Sequence, residues 1–259
     1  YSLLQMPMAI SPEGDHSAVA DRTNIYILNP KGTPLFRIPI ANVTGLALGS
    51  GYLVAGARGG ATILSMWEPV DQIIENAQIA LRVMSFIGTN TKDAEMLLDL
   101  AKTSRAAGRW YQAYMNATKS MSISSQHALS WISKETTALK DNMVKAKSIL
   151  SEANEASSIA VGEIQGLNRW PFGTLASQSA VRHLENYGVY SANASRWIEL
   201  AETTLAKIDP KGIDLPTVQQ IDLAKHTVER ALQTSQQALE NAKQARGAAL
   251  GGLWTLIAT

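Results

Sequence analysis

Apolar and polar positions alternate with a period of two along residues 1–66 and then, from Trp67 onward, recur every three to four residues. Alternation sends successive side chains to opposite faces of an extended strand, whereas three-to-four spacing gathers them along one side of a helix. The first regime divides into the runs "QMPMAIS", "SAVAD", "NIYILN", "LFRIPI", "VTGLALG", "YLVAGA" and "ATILSM". Between the early runs, "SPEGDH" and "NPKGTP" supply proline, which fixes φ, and glycine, which accepts positive φ. The pattern predicts consecutive antiparallel strands. "GARGGA", residues 56–61, lies between two of them and has no Gly-Lys-Ser/Thr, so it reads as a sheet turn and not a phosphate loop.

In the second regime Val70, Ile73, Ala77, Ala80 and Met84 share one face of a first helix. Pro69 stands just inside its start, where no backbone donor is needed, and "GTNTKD" ends it. "AEMLLDLAKTSRAAG" and "RWYQAYMNATKSM" form a helical pair about a turn at Gly108. Residues 124–165 carry a strict four-three seam: Ile132, Thr136, Leu139, Met143, Ala146, Leu150, Ala153, Ser157, Ala160 and Ile164. Residues 216–250 repeat it with Ile221, Ala224, Val228, Ala231, Ser235, Ala238, Ala242, Ala245 and Ala249. Tyr190, Ala194, Trp197, Ala201, Leu205 and Ile208 mark a shorter amphipathic helix between them. Alanine and serine bury little area each, yet they let backbones approach closely, and Leu232 and Leu239 widen the stripe toward several partner helices. The predicted fold class is α+β, predominantly α. A small antiparallel sheet occupies 1–66 and an antiparallel helical bundle with alanine-rich seams occupies 67–259, its helices lying within 67–122, 124–165, 176–209 and 216–250.

A repeat is visible within the strands. "SAVADRTNIYIL" and "YLVAGARGGATIL" share a small-residue strand, a polar or glycine turn and a strand ending in Ile-Leu. Their offset is slightly under the roughly 40 residues of a propeller blade. With "SPEG" entering a strand and "IYILNPKG" leaving one, the segment resembles the WD40 or PQQ-like β-propeller repeat, although the Trp-Asp and Gly-His signatures are missing. The "AAGRWYQAY" junction resembles a tetratricopeptide-type hairpin. A propeller closes with about four blades or more, and residues 1–66 hold less than two. The strands then belong to a longer propeller, stand as a small sheet covered by helices, or are completed by another chain. The apolar face of the following helices favours the second, and an unpaired sheet edge keeps the third in view.

Composition narrows the chemistry. The charged fraction of 17% lies below the roughly 25% usual in soluble domains, and the formal net charge is +1. There is no basic excess to meet a nucleic-acid backbone, so nucleic acid is not an expected partner. With no cysteine, disulfides, thiolate zinc sites, iron–sulfur clusters and thiol nucleophiles are excluded. Of the 4 histidines, His16 falls in a strand turn, and His127, His183 and His226 fall on separate helical segments. His226 and Glu229 are spaced to share a helix face, but in the reverse order of the di-iron bundle motif, so they read as a solvated face. No nucleophile elbow, HExxH, calcium loop or dinucleotide fingerprint occurs. No catalytic, cofactor-binding or metal residue is assigned, and no cofactor or small-molecule substrate is expected.

The expected function is that of a non-enzymatic structural or protein-interaction module, working through a protein partner or self-association. Candidate partner-binding residues are Trp170 and Phe172, in "LNRWPFGTL" where Pro171 breaks the helix, with Trp110 and Tyr111. For the Trp-Pro-Phe cluster the competing reading is an aromatic plug at a bundle end. "NVT", "NAT" and "NAS" place glycosylation sequons at Asn42, Asn116 and Asn193, of which Asn42, at a strand entrance, is the most accessible. The chain opens on Tyr without a charged, apolar leader and reads as a processed or excised segment. Its "AALGGLWTLIAT" end is shorter than the roughly 20 residues of a membrane helix, so it is either a buried helix end or the start of an anchor beyond Thr259. Blade-like strands with a helical stalk are similar to archaeal or bacterial surface proteins, which implies an extracytoplasmic or membrane-anchored protein. Lys243 and Arg246, just before the apolar end, argue instead for a cytoplasmic domain. The alternatives are an intracellular scaffold, since the order of parts resembles coat and trafficking proteins, a small-ligand sensor with signalling helices, and an enzyme with clustered carboxylates in a cleft.

Overall fold

All the strands precede all the helices in the computed structural model, which describes residues 6–49, 51–170 and 173–257. Strands β1 (Met8–Ile10), β2 (Ser17–Ala20), β3 (Ile25–Leu28) and β4 (Pro34–Ile38) form one antiparallel meander. Strands β5 (Val43–Gly49), β6 (Tyr52–Ala57) and β7 (Gly60–Ser65) form a second. Helices α1 (Trp67–Phe86), α2 (Lys92–Ala106), α3 (Trp110–Leu167), α4 (Gly173–Ala176), α5 (Gln178–Leu205) and α6 (Leu215–Ile257) follow. The fold is α+β and predominantly α. Each of the seven alternating runs yields a strand because each is short, rich in β-branched and apolar residues, and bounded by turn formers.

The chain forms two compact units, Tyr1–Ala128 and Leu129–Thr259. The change of period at Trp67 suggests an earlier boundary, but α1 and the start of α3 supply the apolar cover of the sheets, and α2 groups with them. In the first unit, register places Ala18 opposite Ile27, Ala20 opposite Ile25, and Leu53 opposite Leu64. Directly opposed residues point to the same side of an antiparallel pair. These inward faces share one core with Met66, Trp67, Val70, Trp110 and Ala113. β5 lies against β1 and β2. Two turns depend on particular residues. Gly51 has φ +82, and a side chain there would collide with the Trp67 indole. The Asp21 carboxylate accepts the backbone N–H groups of Thr23 and Asn24, both at 2.7 Å, and closes the β2–β3 turn.

In the second unit the ion pairs reveal helix direction. Glu135 meets Lys225 at 3.1 Å, Glu152 meets Lys243 at 2.8 Å and Glu163 meets Arg246 at 3.5 Å, so residue numbers rise together along α3 and α6. Along α3 and α5 they run in opposition, with Lys147 paired to Glu202 and the Tyr187 hydroxyl donating to Asn154 Oδ1 at 2.6 Å. The result is an up-down-up bundle in which α5 is antiparallel to its two neighbours and α3 and α6 are parallel. Every α6 seam position from Ile221 to Ala249 is at most 1% exposed. The sequence pattern separates 110–122 from 124–165; the structure runs one helix through both. Ser120 and Ser124 are fully buried in it, and the Ser120 hydroxyl donates to the Ala94 carbonyl at 2.7 Å.

An alanine seam has no room for a larger side chain. Ala238→Leu is expected to lower unfolding stability by about 1–3 kcal/mol, while Gln236→Leu on the exposed face stays within about 0.5 kcal/mol, as read by urea denaturation. The backbone N–H groups of Thr23 and then Asn24 lower the Asp21 pKa from 3.8 to about 2. A depressed carboxylate contributes stability above its unfolded pKa and loses it as pH falls through the folded one. The stability gap between the native protein and Asp21→Ala is therefore expected to be constant above pH about 5 and to shrink between about 4 and 2, measured by urea melts across pH.

Candidate interaction site

In the first unit four elements meet: β4, the end of β7, the start of α1 and the start of α3. Leu35, Phe36 and Ile38 of β4, Leu64 at the end of β7, and Pro69 and Ile73 in the first turns of α1 line a groove of about 690 Å³. Arg37, Glu68 and Gln72 also line it, and Tyr114 of α3 contributes an aromatic wall. Behind Tyr114 stands Trp110, the first residue of α3 and 2% exposed. Its ring stacks on Tyr114 at 5.6 Å and 12°, meets Phe36 edge-on at 5.7 Å and lies 4.7 Å from the His16 ring. The indole Nε1–H donates to the Met66 carbonyl at 2.6 Å. This bond ties the start of α3 to the junction of β7 and α1, 44 residues earlier.

His16 is 3% exposed and keeps Nδ1 2.6 Å from Asp15 Oδ1. The Ser11 hydroxyl donates to the same carboxylate oxygen at 2.9 Å and accepts the Asp15 backbone N–H at 3.2 Å. His16 Nε2 has no partner among the described residues. The arrangement latches the β1–β2 turn against Trp110. Nearby, Arg105 clamps Asp71 with Nε at 2.8 Å and Nη2 at 3.1 Å while its guanidinium lies 4.4 Å over the Trp67 ring. The hydrogen bond to Asp71 raises the Arg105 pKa further above its ordinary value. Both partners are largely exposed, so the pair contributes at most about 1 kcal/mol.

The outward faces of the sheets carry the second feature. Register gives the first sheet an outward set of Met8, Ile10, Ser17, Val19, Tyr26, Leu28 and Arg37. The second sheet has Gly45, Ala47, Gly49, Tyr52, Val54, Gly56, Ala61, Ile63 and Ser65. Arg37 is the one charged residue in the two sets. Met8 is 63% exposed, Ile10 61%, Tyr52 50% and Ile63 71%. A sheet with one wet face ordinarily alternates apolar inside with polar outside; here both sides are apolar and one is uncovered.

The aromatic candidates from the sequence fall into different settings. Trp110 is a core residue, so its assignment as partner-binding is corrected: its ring and its N–H are both engaged inside the unit. Tyr111 is half-buried, 6.3 Å from His16. Trp170 is 56% exposed just past the end of α3, and Phe172 lies outside the described residues. Asn42 is exposed with φ 57, a conformation asparagine tolerates. Asn116 and Asn193 sit half-buried within α3 and α5. The outward apolar faces were missed, although the alternation of the strands contains them.

Among the described residues there is no group of three or more His, Asp and Glu able to hold a metal ion, and no helix is long and apolar enough to cross a membrane. His226 stands edge-on to Trp197 at 6.3 Å. Comparison with protein-family models, curated proteins and solved structures finds no match.

Trp110→Phe keeps the aromatic bulk and removes the N–H, leaving the Met66 carbonyl unpaired in the core. The expected loss is about 1–3 kcal/mol of stability, read by chemical denaturation of the purified variant.

Proposed function

We propose that this protein is a structural or protein-interaction module with no chemical step of its own, acting by presenting its two sheets to another protein surface. The observation that carries this reading is the apolar, uncovered outward side of both sheets. Contiguous exposed apolar surface on a water-soluble unit is costly and ordinarily marks a contact. The order of two consecutive meanders, together with the internal sequence repeat, supports a relation to neighbouring propeller blades. In a propeller each blade packs between its two neighbours, one on each face, which accounts for sheets with little polar surface on either side. In this reading the three-helix bundle, closed along its own seam, serves as a stalk.

The test is sedimentation velocity over a wide concentration range, comparing the protein with the double variant Ile10→Lys and Ile63→Lys. Both residues are exposed, so the fold is expected to survive, as circular dichroism checks. The expected result is concentration-dependent association of the native chain and a monomeric, more soluble variant. A native chain that stays monomeric, with solubility equal to that of the variant, overturns the reading.

A further inference from the structure

The two sheets differ in completeness. The first has four strands and the second three, and the repeat aligns β2 and β3 with β6 and β7. What the second sheet lacks is the counterpart of β4, because the chain turns into α1 after Ser65. β7 pairs with β6 on one side. Among the described residues no backbone hydrogen bond reaches Gly60–Ser65 from the other side.

The outer edges of the two sheets are also treated differently. β4, at the edge of the first sheet, carries Pro34, which has no N–H to offer, and the exposed charge of Arg37. Both are devices that discourage further pairing. β7 is "GATILS", with neither proline nor charge, and five of its six residues are exposed. Water can satisfy such an exposed row, but among protein segments the one that matches its alternating N–H and C=O groups is another extended backbone.

We propose that β7 is the acceptor edge for an extended strand of a partner protein, which completes the second sheet to four strands and seats its apolar side chains in the groove beside α1. This deepens the interaction reading and rests on it. The first sheet supplies the template. On β3, the strand β4 turns Phe36 and Ile38 to the core side opposite Ile27 and Ile25, with Arg37 between them facing out. The partner segment is therefore a stretch of about six residues with large apolar side chains at alternate positions and polar ones between. Its apolar side enters the groove where Leu64, Pro69 and Ile73 already present hydrocarbon, and Gln72 stands at the edge of the same space.

The probe is a fluorescent synthetic peptide with the sequence of residues 33–40, "TPLFRIPI", compared with a peptide of the same composition in shuffled order. Expected are saturable binding of the ordered peptide by anisotropy, and slowing of hydrogen exchange at residues 60–65 by roughly tenfold or more. Gln72→Trp, an exposed α1 position, is expected to fill the groove and weaken binding roughly tenfold without moving the melting temperature. Equal binding of the shuffled peptide, protection at β1 or β4 instead of β7, or indifference to Gln72→Trp each overturns the proposal. So does protection of residues 60–65 that rises with protein concentration alone, which makes the occupant a second copy. If the lysine double variant abolishes association while the ordered peptide fails to bind, strand addition falls and the broader reading stands. If the peptide binds a chain that never associates through its sheet faces, strand addition stands and the face-to-face reading falls.

Discussion

One hydrogen bond organises the first unit: the Trp110 indole N–H on the Met66 carbonyl. Met66 is the residue at which β7 gives way to α1, and its carbonyl is buried, so it needs a donor that α1 does not supply. By providing it, Trp110 fixes where α3 begins relative to the second sheet. The same ring then has its faces and edges occupied by Tyr114, Phe36 and His16, which come from the helix and from both ends of the first sheet. Inner sheet faces, helix entry and groove wall are consequences of a single anchored aromatic side chain. A buried donor of defined direction sets geometry more sharply than apolar contact, which is non-directional.

That anchoring covers one side of each sheet and leaves the other. Ala18, Ala20, Leu53 and Ala55 are at most 1% exposed, while on the opposite face Val19 and Val54 are half-buried and Tyr52 and Ile63 lie in solvent. A strand cannot be apolar at every position and remain content with one covered face. The outward residues of the second sheet are mostly small, with Gly45, Ala47, Gly49, Gly56 and Ala61 among them. Small residues on a flat face permit another layer to approach closely. The same feature occurs at the edge, where β7 carries none of the residues that deter pairing.

Much of this was legible in the sequence, wherever the determining signal is local. The seven strand runs are set by alternation and turn residues within a few positions of each other, and the α6 seam by an unbroken four-three spacing. The failures are non-local. The pattern places a break between residues 122 and 124, yet α3 passes through it, and there Ser120 finds a carbonyl on α2. Trp110 reads as a partner-binding candidate in sequence because its acceptor lies 44 residues away. Alternation predicts one apolar side for each strand and does not register that the other side is largely apolar too; which side the helices cover depends on the path of the chain after Trp67. His16 was placed in its turn without a role, since its neighbours Trp110 and Tyr111 come from the far end of the unit.

The two units solve the same problem with opposite means. In the bundle, alanine at Ala224, Ala231, Ala238, Ala242 and Ala245 is fully buried by helix backbones drawn close, and lysine–glutamate pairs line the outside. Its seam is consumed internally, and its exposed apolar residues, among them Val144, Ile159, Val189, Leu200, Leu223 and Trp254, are spread over α3, α5 and α6. The sheet unit buries large side chains against Trp67 and Trp110 on one side and has few polar residues, Ser17, Arg37 and Ser65 among them, with which to finish the other. Scattered exposed apolar residues need no partner, whereas a whole sheet face does. The physical argument for binding therefore belongs to the strands, and within them most strongly to the second sheet, where an uncovered face and an unpaired edge meet at β7.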